Sequence, residues 1–102
     1  MKIPTELKIG GFDWAIIQDE TAHKDDDDYG YCSYKDLKIY IDPREPRQKQ
    51  EEAFLHETFH AIIWNLGLID KLEKIDKDLE EELNMALTRA FYQVLKDNNL
   101  LK

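Results

Sequence analysis

The chain has 102 residues, a net charge of −8 and 42% hydrophobic residues, enough for one domain with a modest core. That balance is too apolar and too aromatic for intrinsic disorder, and its uncharged runs are far too short for a membrane span. An acidic surface also lacks the basic face that phosphate neutralisation requires, so neither nucleic acid nor a membrane is an expected partner.

The first third reads as strands. Residues 7–9 and 12–17 flank Gly10-Gly11, a pair suited to the positive φ angles of a tight hairpin. Residues 19–28 end in four consecutive aspartates, Asp25 to Asp28, which repel one another and read as a solvated loop. A second strand pair is predicted at 29–33 and 37–41, joined by the short Tyr34-Lys35-Asp36 link. Leu37, Ile39 and Ile41 alternate with Lys38 and Tyr40, the period of a strand with one buried face.

Pro43 and Pro46 end that strand, and Pro46 suits the first turn of a helix running from Arg47 to Leu66, with Gly67 as its stop. Its second half is so apolar that it is expected to be the buried central helix. A charged connector, residues 70–77, leads to a last helix from Leu79 to Lys96. Asp78 is its expected N-cap and Glu81 completes a capping box. Leu83, Leu87, Ala90 and Val94, widened by Phe91 and Leu95, are read as the stripe that faces the core. Trp14 and Trp64 are both expected to fill the core, and the single Cys32 to act as a small hydrophobe in its strand. The fold class predicted is a single α+β domain over residues 1–102: a mainly antiparallel sheet of four short strands followed by two packed helices.

The chemistry concentrates in His56-Glu57-Thr58-Phe59-His60, an HExxH run inside the apolar helix. Four residues of helix return His60 to within about 40° of His56, one turn along, so both imidazoles can address one Zn2+ and leave other positions open. Glu57 lies beside that face as the candidate general base for a metal-activated water. Two imidazoles and a carboxylate in an apolar helix are costly unless they are paired or coordinating.

A third ligand must come from elsewhere. Ile63 and Leu66 stand where the longer metzincin motif has its glycine and third histidine, which excludes that class. His23, beside the aspartates, reads as a solvent residue. The first turn of the last helix offers Glu80, Glu81 and Glu82, where acids also serve simply to complement the helix dipole. Glu81 shares a face with the small polar residues Asn84 and Thr88 and ranks first. Glu80, with Asn84 four residues on, remains the alternative.

The β-rich start, the strand Ile39-Tyr40-Ile41-Asp42, the run Leu55 to Ile62 and the acidic-started helix ending Phe91 to Asn98 resemble the ImmA/IrrE-type metallopeptidases of phage and bacteria, in the gluzincin group. The resemblance covers residue 29 onward, and only HExxH in it is specific. It implies zinc on His56, His60 and a downstream glutamate, with Glu57 as general base in peptide-bond hydrolysis. Family spacing places that glutamate three residues before a small residue and six before a bulky apolar one, which Glu81, Asn84 and Leu87 match with Asn84 in the alanine-like place. The expected partners are a peptide or protein substrate and a regulatory protein. The lone thiol and the absence of a signal-like apolar start point to the cytoplasm. A non-enzymatic accessory protein with a structural zinc is the rival reading; it has no need of Glu57 as a base.

Strand tyrosines are favoured residues of half-buried sheets. For that reason Tyr29, Tyr31, Tyr34 and Tyr40 are read as packing residues rather than as oxyanion donors.

Overall fold

A computed structural model describes residues 1–21 and 30–101. The expectations for His23, the four aspartates and Tyr29 lie outside the described residues. The order of elements is β1 (Glu6–Ile9), β2 (Phe12–Gln18), β3 (Gly30–Ser33), β4 (Lys38–Ile41), α1 (Arg47–Asn65), α2 (Ile69–Ile75) and α3 (Leu79–Asp97).

The β1–β2 turn is a hairpin in which Gly10 and Gly11 carry φ of 59° and 85°, the double positive φ that a two-residue turn of this hand demands. The β1–β2 and β3–β4 pairs are antiparallel, as in the mainly antiparallel sheet expected, but the sheet as a whole is mixed. Its spatial order is β1-β2-β4-β3, and β2 pairs β4 in parallel, with Ile16 opposite Ile39. The reason lies in the side chains. Ile39 and Ile41 of β4 are fully buried and belong beside Trp14 and Ile16 of β2, in the middle of the sheet. Gly30 and Ser33 make β3 the poorer core strand, and it takes the edge.

α1 lies across the inner face, burying Ala53, Phe54, Leu55 and Ala61 with Ile9, Trp14, Ile16, Ile39 and Ile41. The fully buried Trp14 meets the half-buried Trp64 edge to face at 6.0 Å, and Tyr34 stacks on Trp64 at 5.5 Å. Burial is deepest in the middle of α1 rather than in its second half. Its last turn ends in a Schellman motif: Gly67, φ 71°, donates to the Trp64 carbonyl and Leu68 to that of Ile63.

Two further expectations are corrected. The connector contains a third helix, α2, which buries none of its residues fully and leans on α3. Most of the supposed core stripe of α3 faces outward, and of its members Leu95 packs against the core. Leu83, Leu87, Phe91 and Val94 are 40–50% exposed, whereas the buried residues are Glu80, Asn84 and Thr88. The helix is turned this way because α1 offers it histidines and backbone carbonyls. Leaving those buried and unpartnered costs more than half-exposing four apolar side chains. No helix among the described residues is long and apolar enough to cross a membrane.

Candidate metal centre

α1 and α3 run side by side, and the site lies where the third and fourth turns of α1 meet the first turn of α3. His56 and His60, one turn apart, present their rings edge to face at 4.6 Å, with the two Nε2 atoms 3.2 Å apart. Glu81 closes the group: one carboxylate oxygen is 2.9 Å from His56 Nε2 and the other 2.9 Å from His60 Nε2. Two imidazole nitrogens and a carboxylate oxygen all within 4.8 Å of one another form a donor set suited to zinc. The histidines are largely covered, whereas Glu81 is 49% exposed, so the group opens to solvent on the α3 side.

Glu80 and Glu81, adjacent in sequence, do different things. Glu80 is buried, and its Oε1 lies 2.7 Å from His60 Nδ1, on the far side of the ring from Glu81. Asn84, one turn on, donates its amide to the His56 carbonyl at 2.9 Å, and the Thr88 hydroxyl donates to Asn84 Oδ1 at 2.9 Å. A further link between the helices is the Tyr92 hydroxyl, which donates to buried Glu51 at 2.8 Å. The predicted capping box does not form. Asp78 has helical backbone angles and makes no side-chain cap, while Asp76 accepts the Asp78 N–H instead. This leaves the Glu81 carboxylate to the histidines.

Glu57 is buried on α1 next to the ligating face and under β3. A Cβ on Gly30 would lie 2.8 Å from the Tyr40 carbonyl oxygen and 3.3 Å from Glu57 Cγ, so only glycine lets the edge strand approach the glutamate this closely. Cys32 and Tyr34, on the same strand and the turn after it, also border the acids. Burial pushes both their pKa values up, and the charges of Glu57 and Glu80 push further.

Burial alone would lower the pKa of the His60 imidazole. Hydrogen bonds to Glu81 and Glu80, together with the Glu57 and Glu80 charges, outweigh it and raise it to about 9. The same contacts, from His56 first and then His60, hold Glu81 well below the usual carboxylate range. The site is thus a charge-paired cluster of His60 with Glu80 and Glu81.

Of the residues singled out from the sequence, His56, His60 and Glu81 come together in this corner, Glu57 is buried beside them on α1 with its charge acting on His60, and the second-ranked Glu80 joins through the other imidazole nitrogen. The contribution of Gly30 was not foreseen, and Asn84 and Thr88, read as sharing a face with Glu81, instead form one buried file with Glu80. The spacing of Glu80, Asn84 and Thr88 at i, i+4 and i+8 is the signal that marks them as one helix face. Comparison of the chain with protein-family models, with curated proteins and with solved structures finds no match in any of the three.

Proposed function

We propose that the chain is a zinc-dependent metallopeptidase with Glu57 as its general base and His56, His60 and Glu81 as the metal ligands. The observation that carries this reading is the convergence of His56 Nε2, His60 Nε2 and the Glu81 carboxylate on one solvent-open point, with a buried glutamate next to it on the same helix. A structural zinc site is normally closed by four protein ligands, whereas this group supplies three and leaves one side to solvent. Peptide-bond chemistry is what the resemblance to ImmA/IrrE-type enzymes implies, and a cytoplasmic setting suits the single thiol.

Zinc bound there would supply a Lewis acid for a scissile carbonyl and would acidify water beside it. The chain's own part is to hold that geometry and to move a proton. Asn84 pins α3 to the His56 turn and so fixes the distance between Glu81 and the imidazoles. Glu57, roofed by β3, takes the proton from the attacking water and delivers it to the departing amine. The exposed side of Glu81 is where substrate has room to enter.

Elemental analysis tests the metal, and digestion of a peptide library tests the chemistry. The expected result is about one zinc per chain, lost in His56→Ala. Cleavage should occur in the wild type and be absent in Glu57→Gln, which still folds and holds zinc. A chain that takes up no zinc on reconstitution overturns the reading. One that holds zinc and cleaves nothing is a non-enzymatic zinc protein.

A further inference from the structure

One imidazole, His60, is held from both ends by successive residues of α3. Glu81 meets Nε2 at 2.9 Å and Glu80 meets Nδ1 at 2.7 Å. The two acids live in different surroundings: Glu81 is half exposed, whereas Glu80 is only 7% exposed. A carboxylate that deep is costly unless it accepts a hydrogen bond, and the Nδ1–H of His60 is the donor it faces.

That contact has a chemical consequence. A neutral imidazole carries its proton on either nitrogen, and a hydrogen-bond acceptor at one of them decides which. With Glu80 at Nδ1, that proton stays there, so the proton a metal would displace is the one on Nε2, and the lone pair it leaves points to the place shared with His56 Nε2 and Glu81. The acceptor's negative charge also makes Nε2 a stronger donor to a metal. The position of Glu80 is itself fixed. It begins the buried polar file whose next member, Asn84, is bound to the His56 carbonyl and is in turn held by Thr88.

We infer that Glu80 is a positioning residue of the metal centre: it accepts the Nδ1–H of His60, presents Nε2 to a divalent transition metal, and makes no bond to the metal itself. This rests on the zinc reading above and divides the labour between two neighbouring acids that the sequence alone ranks as rivals.

The test is zinc affinity, measured on the full chain by competition with a chromophoric chelator. It compares wild type, Glu80→Gln, Glu80→Leu and Glu81→Gln, alongside the thermal midpoints of the zinc-free proteins. Gln keeps an acceptor for Nδ1–H and loses the charge; Leu loses both. Affinity should fall by about 10-fold in Glu80→Gln and about 100-fold in Glu80→Leu, with stoichiometry unchanged. Glu81→Gln should lose more than either. Wild-type affinity in both Glu80 variants, even with lowered midpoints, overturns the inference, because a merely structural residue behaves that way. Abolished binding in Glu80→Leu with binding kept in Glu81→Gln also overturns it, making Glu80 the ligand. Should Leu not fold, the isosteric Gln decides alone. A wild-type chain without zinc affinity removes the metal reading itself, an outcome distinct from unaltered Glu80 variants on a zinc-binding parent.

Discussion

Asn84 on α3 donates its side-chain amide to the backbone carbonyl of His56 on α1, 2.9 Å away and 28 residues distant in sequence. The bond joins the helix that carries the histidines to the helix that carries the acids, one turn from both Glu80 and His60. Asn84 is fully buried, and its own carbonyl is occupied by the Thr88 hydroxyl. Asn84→Ala should therefore strand the Thr88 hydroxyl and open a gap, costing about 2–3 kcal/mol in urea unfolding. Asn84→Asp should cost more, since it sets a buried charge against a carbonyl oxygen. A cost below that of an exposed substitution would show that the two helices do not depend on this link.

The outward stripe of α3 yields a second expectation. Leu87 is 50% exposed whereas Ile39 is fully buried. Leu87→Ser should cost less than about 1 kcal/mol, and Ile39→Ala about 2–4 kcal/mol. Equal costs in denaturant titration would mean that the stripe is covered in solution.

How far the sequence could be read follows from which forces are local. The Gly10-Gly11 hairpin, the Gly67 stop and the helical register of HExxH depend on backbone angles and on near neighbours, so they were legible. The parallel β2–β4 pairing was not, because it depends on Ile39 and Ile16 finding each other across a crossover. The face of α3 misled for an instructive reason. Hydrophobic periodicity assumes an apolar neighbour, but the neighbour here is a pair of imidazoles, so Glu80, Asn84 and Thr88 turn inward and Leu83 and Leu87 turn out. The same fact explains why Glu80 and Glu81 could be ranked and not assigned: they are 100° apart on the helix, and only the packed pair of helices shows which nitrogen each one meets.

Gly30 should be intolerant of even a methyl group. Its Cβ would press on the Tyr40 carbonyl of the neighbouring strand and on Glu57 Cγ. Backbone cannot yield cheaply, so β3 must shift. Gly30→Ala is expected to lower the unfolding free energy by about 1–3 kcal/mol. It should also reduce any Glu57-dependent turnover more than it reduces zinc content. An unchanged midpoint with unchanged turnover would place β3 further from Glu57 than described.

Cys32 should be a poor nucleophile despite its free thiol. Burial raises its pKa, and the Glu57 and Glu80 charges raise it further, so the thiolate is scarce at neutral pH. Native protein should react with a thiol reagent at pH 8 far more slowly than protein in urea. Equal rates would mean that β3 opens readily at the sheet edge.

The paired histidine makes metal-free stability depend on pH with a defined sign. The pKa of His60 is raised in the folded chain to about 9, against about 6.5 for a free imidazole. A raised value means the folded state holds the proton more tightly, so the contribution is fully present below about pH 6.5 and is lost as pH rises through about 9. Other groups titrate over the same range, so the useful quantity is the gap in thermal midpoint between zinc-free wild type and His60→Gln. That gap should narrow steadily from pH 6.5 to pH 10. On the proposed zinc reading the metal displaces the same proton, so its uptake at pH 7 should release it. Calorimetry in buffers of different ionisation enthalpy reads that release directly. At pH 10 the His60 proton has already left and its share of the release should vanish. A gap that stays constant across the range, or a release that does not change with pH, would mean that the imidazole does not carry its proton between Glu80 and Glu81.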